Sequence, residues 1–424
     1  MRKAVRLFGG LGVFSAAAML FMACGTRGAG FGGPNGVGAA GDPDGSPVVS
    51  SNAGRDAMSP PIGTVTGTVV APEGTIPISG ALIYLTDADP PPIPSGVYCD
   101  KCVELTSYAF TYSKADGTFE LPAYIAGAQY IVTQKGQFRR VRKLDVKPGT
   151  QVSNADDTRL PGKNDAANGD TIPRMKVMAA NWDSIQSSLK KLGISEFTGP
   201  PTGFVQDHAL DDLTEASKYH IIFIPCSGQV VSDPGPTGSQ CSSIYTPSSA
   251  SKSVMKNYIE QGGKLYVTDW SYEYVQQIWP GFVTFTGETS QVGSACTIGE
   301  YSGPAQFDDP GLAAWMTAIG EGSAQLKKNY VSISGTTPQP GLDQDGHPVT
   351  ITPKVWASTV VGGTPHTSTV SFQDKCGRVM YSTYHAEGTD NGGSSTLLAQ
   401  EKALFHILLE VSACVGVKPV PPVR

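Results

Sequence analysis

The chain has 424 residues, too many for one hydrophobic core and enough for two domains with connecting segments. A formal net charge of -6 with only 16% charged residues leaves no basic footprint for nucleic acid. Fifty glycines and thirty-two prolines argue against a mainly helical protein and for many turns and joints.

Residues 1–24 read as an export signal. Arg2, Lys3 and Arg6 form a positive start, and residues 7–22 form an apolar run too short for a permanent membrane span. The run ends Leu20-Phe21-Met22-Ala23-Cys24-Gly25, which resembles a bacterial lipobox. That resemblance implies a lipidated Cys24 as the mature N-terminus, and Gly25 after it is compatible with the outer membrane. The expected address is the outer membrane, lipid-anchored, facing the periplasm or the surface. Each buried acyl CH2 would contribute about 0.8 kcal/mol to the anchor. Residues 25–62 hold ten glycines with Pro, Ser, Ala and Asn, and little to bury. They are expected to form a flexible tether with a reach on the order of 35 Å.

Residues 63–150 read as β structure. Thr64-Val65-Thr66-Gly67-Thr68-Val69-Val70 alternates, and Ser113 to Leu121 is strand, Asp116-Gly117 turn, strand. Gly67, Ser79-Gly80-Ala81 and Ala115-Asp116-Gly117-Thr118-Phe119 resemble the carboxypeptidase regulatory-like (transthyretin-like) family. That resemblance implies a small antiparallel β-sandwich of the kind attached to surface proteins. Within it lies a proline-rich insertion ending Cys99-Asp100-Lys101-Cys102. A local Cys99–Cys102 disulfide is the leading expectation, with metal binding and redox activity behind it, because neither a second CxxC nor a βαβ unit accompanies the motif. The basic run Arg139-Arg140-Val141-Arg142-Lys143 is expected on a solvated strand edge.

Residues 151–172 are polar and read as a linker. From residue 173 the period changes, and strands alternate with helices. Met175 to Ala180 and Tyr219 to Pro225 are strands, and Asn181 could cap a helix burying Trp182, Ile185, Leu189 and Leu192. Residues 248–261 form a helix closed by Gly262, followed by the strand Lys264-Leu265-Tyr266-Val267-Thr268. Later strands are expected over 349–361, 368–373 and 377–384, with a closing helix over 394–412. The fold class expected is α/β plus β: an antiparallel sandwich, then a mostly parallel sheet over residues 173–416 with helices on both faces, then a tail over 417–424.

Tyr219 to Gly228, Tyr258 to Val267 and Gly377 to His385 resemble the class I glutamine amidotransferase-like fold, a flavodoxin-like sheet, and within it the ThuA-like branch. The whole layout also resembles surface lipoproteins of myxobacteria. In true amidotransferases the resemblance implies a nucleophilic Cys at the strand exit, with a His-x-Glu pair as its base. Here the exit reads Thr268-Asp269-Trp270-Ser271, without Cys, while His385-Ala386-Glu387 keeps the spacing. A non-catalytic binding module for a glycan or an envelope protein is therefore the leading expectation; Trp270 and Tyr272 are candidate binding aromatics, although the aromatic cluster they belong to reads first as core. The alternatives are an extracytoplasmic hydrolase using Asp269 or Ser271 with His385 and Glu387, and a purely structural surface module.

Beyond Cys24 the cysteines number seven, an odd count for a compartment that permits disulfides. Cys226 with Cys241, and Cys376 with Cys414, are the further expected pairs. No His spacing suggests a metal, Asp343-Gln344-Asp345-Gly346 reads as a turn rather than a calcium loop, and nothing points to a cofactor.

Overall fold

A computed structural model describes residues 60–105, 109–180, 182–200, 207–226, 246–296, 299–386, 396–409 and 415–417. The signal segment, Cys24 and nearly all of the tether lie outside the described residues, as do Asn181, Cys241, Glu387 and Cys414. The protein is mixed α/β, with many strands and few helices. No helix among the described residues is long and apolar enough to cross a membrane.

Two sheets make up the amino-terminal part. Gly63–Thr68 lies between Thr118–Ala123, antiparallel, and Gly149–Val152, parallel. Leu82–Thr86, Phe110–Tyr112, Gly127–Lys135, Phe138–Val146 and Asp170–Thr171 form a five-stranded antiparallel sheet. Alternation drives this arrangement. Val65, Phe119, Leu121 and Ala123 face inward from the first sheet, and Ile83, Leu85 and Ile131 from the second, into one core. The Asp116-Gly117 turn forms as its chemistry requires: Gly117 has φ 77° and Asp116 Oδ1 accepts from the Thr118 amide at 2.9 Å.

Two expectations for this region are corrected. The 151–172 segment is no free linker, because it supplies the Gly149–Val152 and Asp170–Thr171 strands and the helix Ala155–Thr158. The basic run does not sit on a solvated edge either. Its strand has neighbours on both sides, Arg140 and Arg139 are buried, and Arg140 grips Asp170 with Nε and NH2 at 2.9 and 2.8 Å. A buried guanidinium needs such a bidentate partner, and the linker's aspartate provides it.

The second part is an eight-stranded sheet. Met175–Val177, Ile221–Ile224, Lys264–Thr268 and Gly377–Ser382 run parallel. Thr364–Asp374, Lys354–Val361, Tyr301–Phe307 and Gln325–Asn329 then continue it antiparallel. The expectation of a mostly parallel sheet thus holds for one half only. The other half is reached through hairpin-type returns, which local alternation does not distinguish from crossovers. Side chains split by strand period. Ile221, Phe223, Tyr266 and Met380 join the core that carries helices Ile185–Lys191, Pro310–Ala318 and Ala399–Leu409. Ile222, Ile224, Leu265, Val267, Val379 and Tyr381 join the opposite core, with Met255, Tyr258 and Ile259 of helix Ser249–Glu260. Ser248 caps that helix by accepting from the Ser251 amide, worth about 1 kcal/mol. The first of these helices begins at Ile185 behind Ser184, and Trp182, expected on its apolar face, is 44% exposed.

Close approach explains two glycines. A Cβ on Gly377 would stand 2.1 Å from the Ile259 carbonyl oxygen, and one on Gly263 would stand 2.4 Å from the Tyr258 ring. Helix and strand can only pack this tightly through bare backbone.

The insertion docks onto the second part rather than closing on itself. Cys99 is bonded to Cys376, 277 residues away, which excludes both the Cys99–Cys102 and the Cys376–Cys414 pairings. Cys102 is also disulfide-bonded, and with Cys99 engaged its partner is not its neighbour in the CxxC. Around the bridge, Lys264 Nζ meets Asp100 at 2.9 Å and the Pro94 carbonyl lies 2.9 Å from His220 Nε2. Trp315 Nε1 donates to the Pro77 carbonyl at 2.7 Å, joining the two parts again.

Candidate functional site

Register puts three chain segments at one edge. Ile224 pairs with Val267, and Thr268 with Ser382, so the parallel strands end level with one another. The residues that follow, Pro225-Cys226, Asp269-Trp270-Ser271 and Thr383-Tyr384-His385, emerge together at the carboxyl edge, where open α/β sheets place their ligands.

Asp269 occupies the strand exit expected for a nucleophile. It has φ 43°, one of three non-glycine residues with positive φ among those described. Asp tolerates that region better than most residues, yet the conformation needs support. Tyr381 supplies it by donating its hydroxyl to the Asp269 carbonyl at 3.0 Å, and the Tyr272 amide donates to the same oxygen at 3.0 Å. Ser271 Oγ donates to the Pro225 carbonyl at 2.8 Å. Thr268 Oγ1 accepts from the Cys226 amide at 2.7 Å and donates to Asp183 Oδ2 at 2.8 Å. The exits are stitched together by their own side chains.

Asp269 and His385 meet across this edge, with Oδ2 and Nε2 2.9 Å apart. Asp269 is 0% exposed and His385 5%. The contact is close but poorly aligned, and neither Asp269 oxygen nor His385 Nε2 makes a hydrogen bond of good geometry. Burial raises the Asp269 carboxyl to about 6, against the opposing pull of His385. Burial alone would lower His385, but the Asp269 carboxylate 2.9 Å away outweighs it and the imidazole titrates above its ordinary value.

Cys226 is the third member. It is a free thiol, 1% exposed, and its sulfur, an Asp269 oxygen and a His385 nitrogen all lie within 4.8 Å of one another. Burial, then the Asp269 charge, push the thiol well above its ordinary range, so it is held protonated. The expected Cys226–Cys241 disulfide is therefore absent. The exit of strand Ile221–Ile224 turns the thiol inward toward the sheet edge. The signal in the sequence was the position of Cys226 two residues beyond an apolar parallel strand, next to the strand of Asp269.

The other candidates divide clearly. Ser271 is 0% exposed with its hydroxyl committed to Pro225. Tyr272, a binding candidate whose cluster also reads as core, is core: its ring packs 5.0 Å from Phe285 and its oxygen accepts from the Ala295 amide at 3.1 Å. Trp270 is half-buried, 5.7 Å from the ring of Tyr330, and Tyr330 in turn lies 5.5 Å from the His385 ring at 31°. Tyr330, also half-buried, had no distinguishing signal in the sequence. The Asp343-Gln344-Asp345-Gly346 segment is the expected turn, with Asp343 Oδ1 accepting from the Asp345 and His347 amides at 2.9 and 2.8 Å.

The fold and its site define a mixed α/β domain with a buried polar centre at its strand exits. No family model matches the chain, and no curated protein does. Among solved structures it is similar to a ThuA-like protein from Bacteroides uniformis, at 10% identity and TM-score 0.31, over 55% of this chain and 89% of that one. It is also similar to the amino-terminal domain of IFT52, at 8% identity and TM-score 0.34, over 58% and 100% of the two chains. A third is a cytoplasmic protein from Salmonella typhimurium, at 12% identity and TM-score 0.31, over 56% and 98%.

Proposed function

We propose that this is a lipid-anchored protein of the outer membrane whose second domain, an amidotransferase-like fold of the ThuA-like branch, binds a glycan or envelope-protein partner without catalysis. The amino-terminal pair of sheets suits a carboxypeptidase regulatory-like sandwich that carries this domain on the tether. One observation carries the binding reading: Trp270 and Tyr330 are half-buried aromatics in a chain of ring contacts, edge-to-face and then tilted, that leads to His385 at the strand exits. Aromatic faces of this kind stack on sugar rings. Trp270 Nε1 is buried without a hydrogen-bond partner, a donor that a ligand hydroxyl could satisfy. Against catalysis stand the committed hydroxyl of Ser271 and the protonated thiol of Cys226, neither prepared to attack.

Titration of envelope polysaccharide fragments into the mature protein tests the binding reading. Trp270→Ala and Tyr330→Ala should each weaken binding by about two- to tenfold, in line with the loss of one aromatic contact. Equal affinity in all three proteins would sink it. Cys24→Ala should release the protein from membranes, and unchanged fractionation would remove the anchor.

A hydrolase is the second reading, favoured by the Asp269–His385 contact at a backbone position of positive φ. Ester or glycoside turnover by the wild type that disappears in His385→Ala would establish it in place of pure binding.

A further inference from the structure

We infer that Cys226, Asp269 and His385 form a binding site for one divalent transition-metal ion of the zinc class. Three strand exits deliver one sulfur, one carboxylate oxygen and one imidazole nitrogen, all within 4.8 Å of one another. For bonds of about 2.0–2.3 Å at tetrahedral angles, ligand atoms stand roughly 3.3–3.7 Å apart. Binding would open the 2.9 Å Asp269–His385 contact by about 0.4 Å or more and draw in the thiol.

The second observation is independent of the spacing. Both oxygens of Asp269 and Nε2 of His385 are buried and lack a well-aligned hydrogen bond, in a protein whose other strand exits are closely stitched. Buried polar atoms left in this state are costly, and a metal ion satisfies all of them at once. The donor set also selects the ion. Sulfur and imidazole favour zinc or cobalt and disfavour calcium and magnesium, which want oxygen ligands.

Charge balances on binding. The S–H proton of Cys226 and the proton held by the Asp269–His385 pair leave to solvent. A thiolate and a carboxylate then offset the ion's two positive charges, so the buried centre is neutral. Thr268 stands behind the site, accepting from the Cys226 amide and donating to Asp183, and so fixes the backbone that carries the thiol. Three protein ligands leave the fourth position of a tetrahedral ion to a water molecule. The second metal-like cluster, Asp343, Asp345 and His347, is a surface turn in which Asp343 Oδ1 already accepts from two backbone amides, and it serves as the control.

The experiment loads the whole mature protein with cobalt(II) after chelation. One equivalent should bind, produce a thiolate-to-cobalt charge-transfer band in the near ultraviolet, and be displaced by zinc. Cys226→Ser, close to isosteric, should abolish the band and weaken zinc binding at least about a hundredfold; Asp269→Asn should weaken it about tenfold or more. His347→Ala should change neither, and circular dichroism checks that each variant is folded. Failure to bind a stoichiometric ion, binding without the charge-transfer band, or binding that is lost in His347→Ala and kept in Cys226→Ser would overturn the inference. Glycan affinity is read separately, so the site and the proposed binding function stand or fall apart from each other.

Discussion

Removing His385 isolates a buried charge, and the cost can be worked from the site. Asp269 is fully buried and His385, whose imidazole it holds above the ordinary value, is its close neighbour at 2.9 Å. Breaking a buried pair by deleting one partner costs about 3–5 kcal/mol, because the remaining ion is uncompensated. His385→Ala should therefore lower unfolding free energy by that amount near neutral pH. In an Asp269→Asn background there is no charge to strand, and the same deletion should cost only its lost packing, about 1–2 kcal/mol. The coupling between the two positions is then about 2–3 kcal/mol. Urea unfolding of the wild type, both single variants and the double variant, in chelator, measures it. The Asp269→Asn comparison has its own pH signature. The native carboxyl is raised to about 6 from 3.8, so the folded protein binds the extra proton and its contribution is fully present below the lower value. The wild type should lose stability relative to Asp269→Asn as pH rises through that window. A coupling within about 0.5 kcal/mol of zero would refute the charge argument, since distant or independent sites add within that margin.

Other outcomes follow from the packing. Cys376→Ser opens a cross-link spanning 277 residues and should cost about 5 kcal/mol, read by unfolding with and without reductant. Peptide mapping without reduction should recover the Cys99–Cys376 link, and a Cys99–Cys102 peptide in its place would contradict the docked insertion. Gly377→Ala should destabilise by about 1–3 kcal/mol, because its methyl meets two backbone carbonyls that cannot rotate away. A neutral result in thermal unfolding would mean the helix and strand can part at no cost. Arg140→Met removes the bidentate half of the Asp170 pairing and leaves the Arg142 contact at 2.9 Å, so it should cost about 1–3 kcal/mol, and Arg140→Met with Asp170→Leu should not recover it, because Arg142 then loses its partner. Denaturant titration of the pair distinguishes this from simple loss of side-chain packing.

Local pattern determined a good deal here. The alternation of Thr64 to Val70 and the Asp116-Gly117 turn specified their strands, because side-chain period and turn chemistry act within a few residues. The apolar face of Val254, Met255, Tyr258 and Ile259, closed by Gly262, likewise specified its helix and the buried strand after it. The carboxyl edge of that strand as the place for Asp269 and His385 was legible for the same reason: strand order and register follow from such elements. What the tertiary structure decided were partnerships between residues far apart in the chain. Cys99 meets Cys376 and not Cys102, since docking of the insertion sets the distance between their sulfurs. Arg140 finds Asp170 in a segment whose polarity reads as linker. The sheet turns antiparallel beyond Gly377–Ser382, because pairing direction depends on how returning strands pack and not on their own alternation. Cys226 stands beside Asp269 and His385 because adjacent parallel strands end level. Only the assembled sheet brings three exits, spread over 160 residues of chain, within reach of one ion.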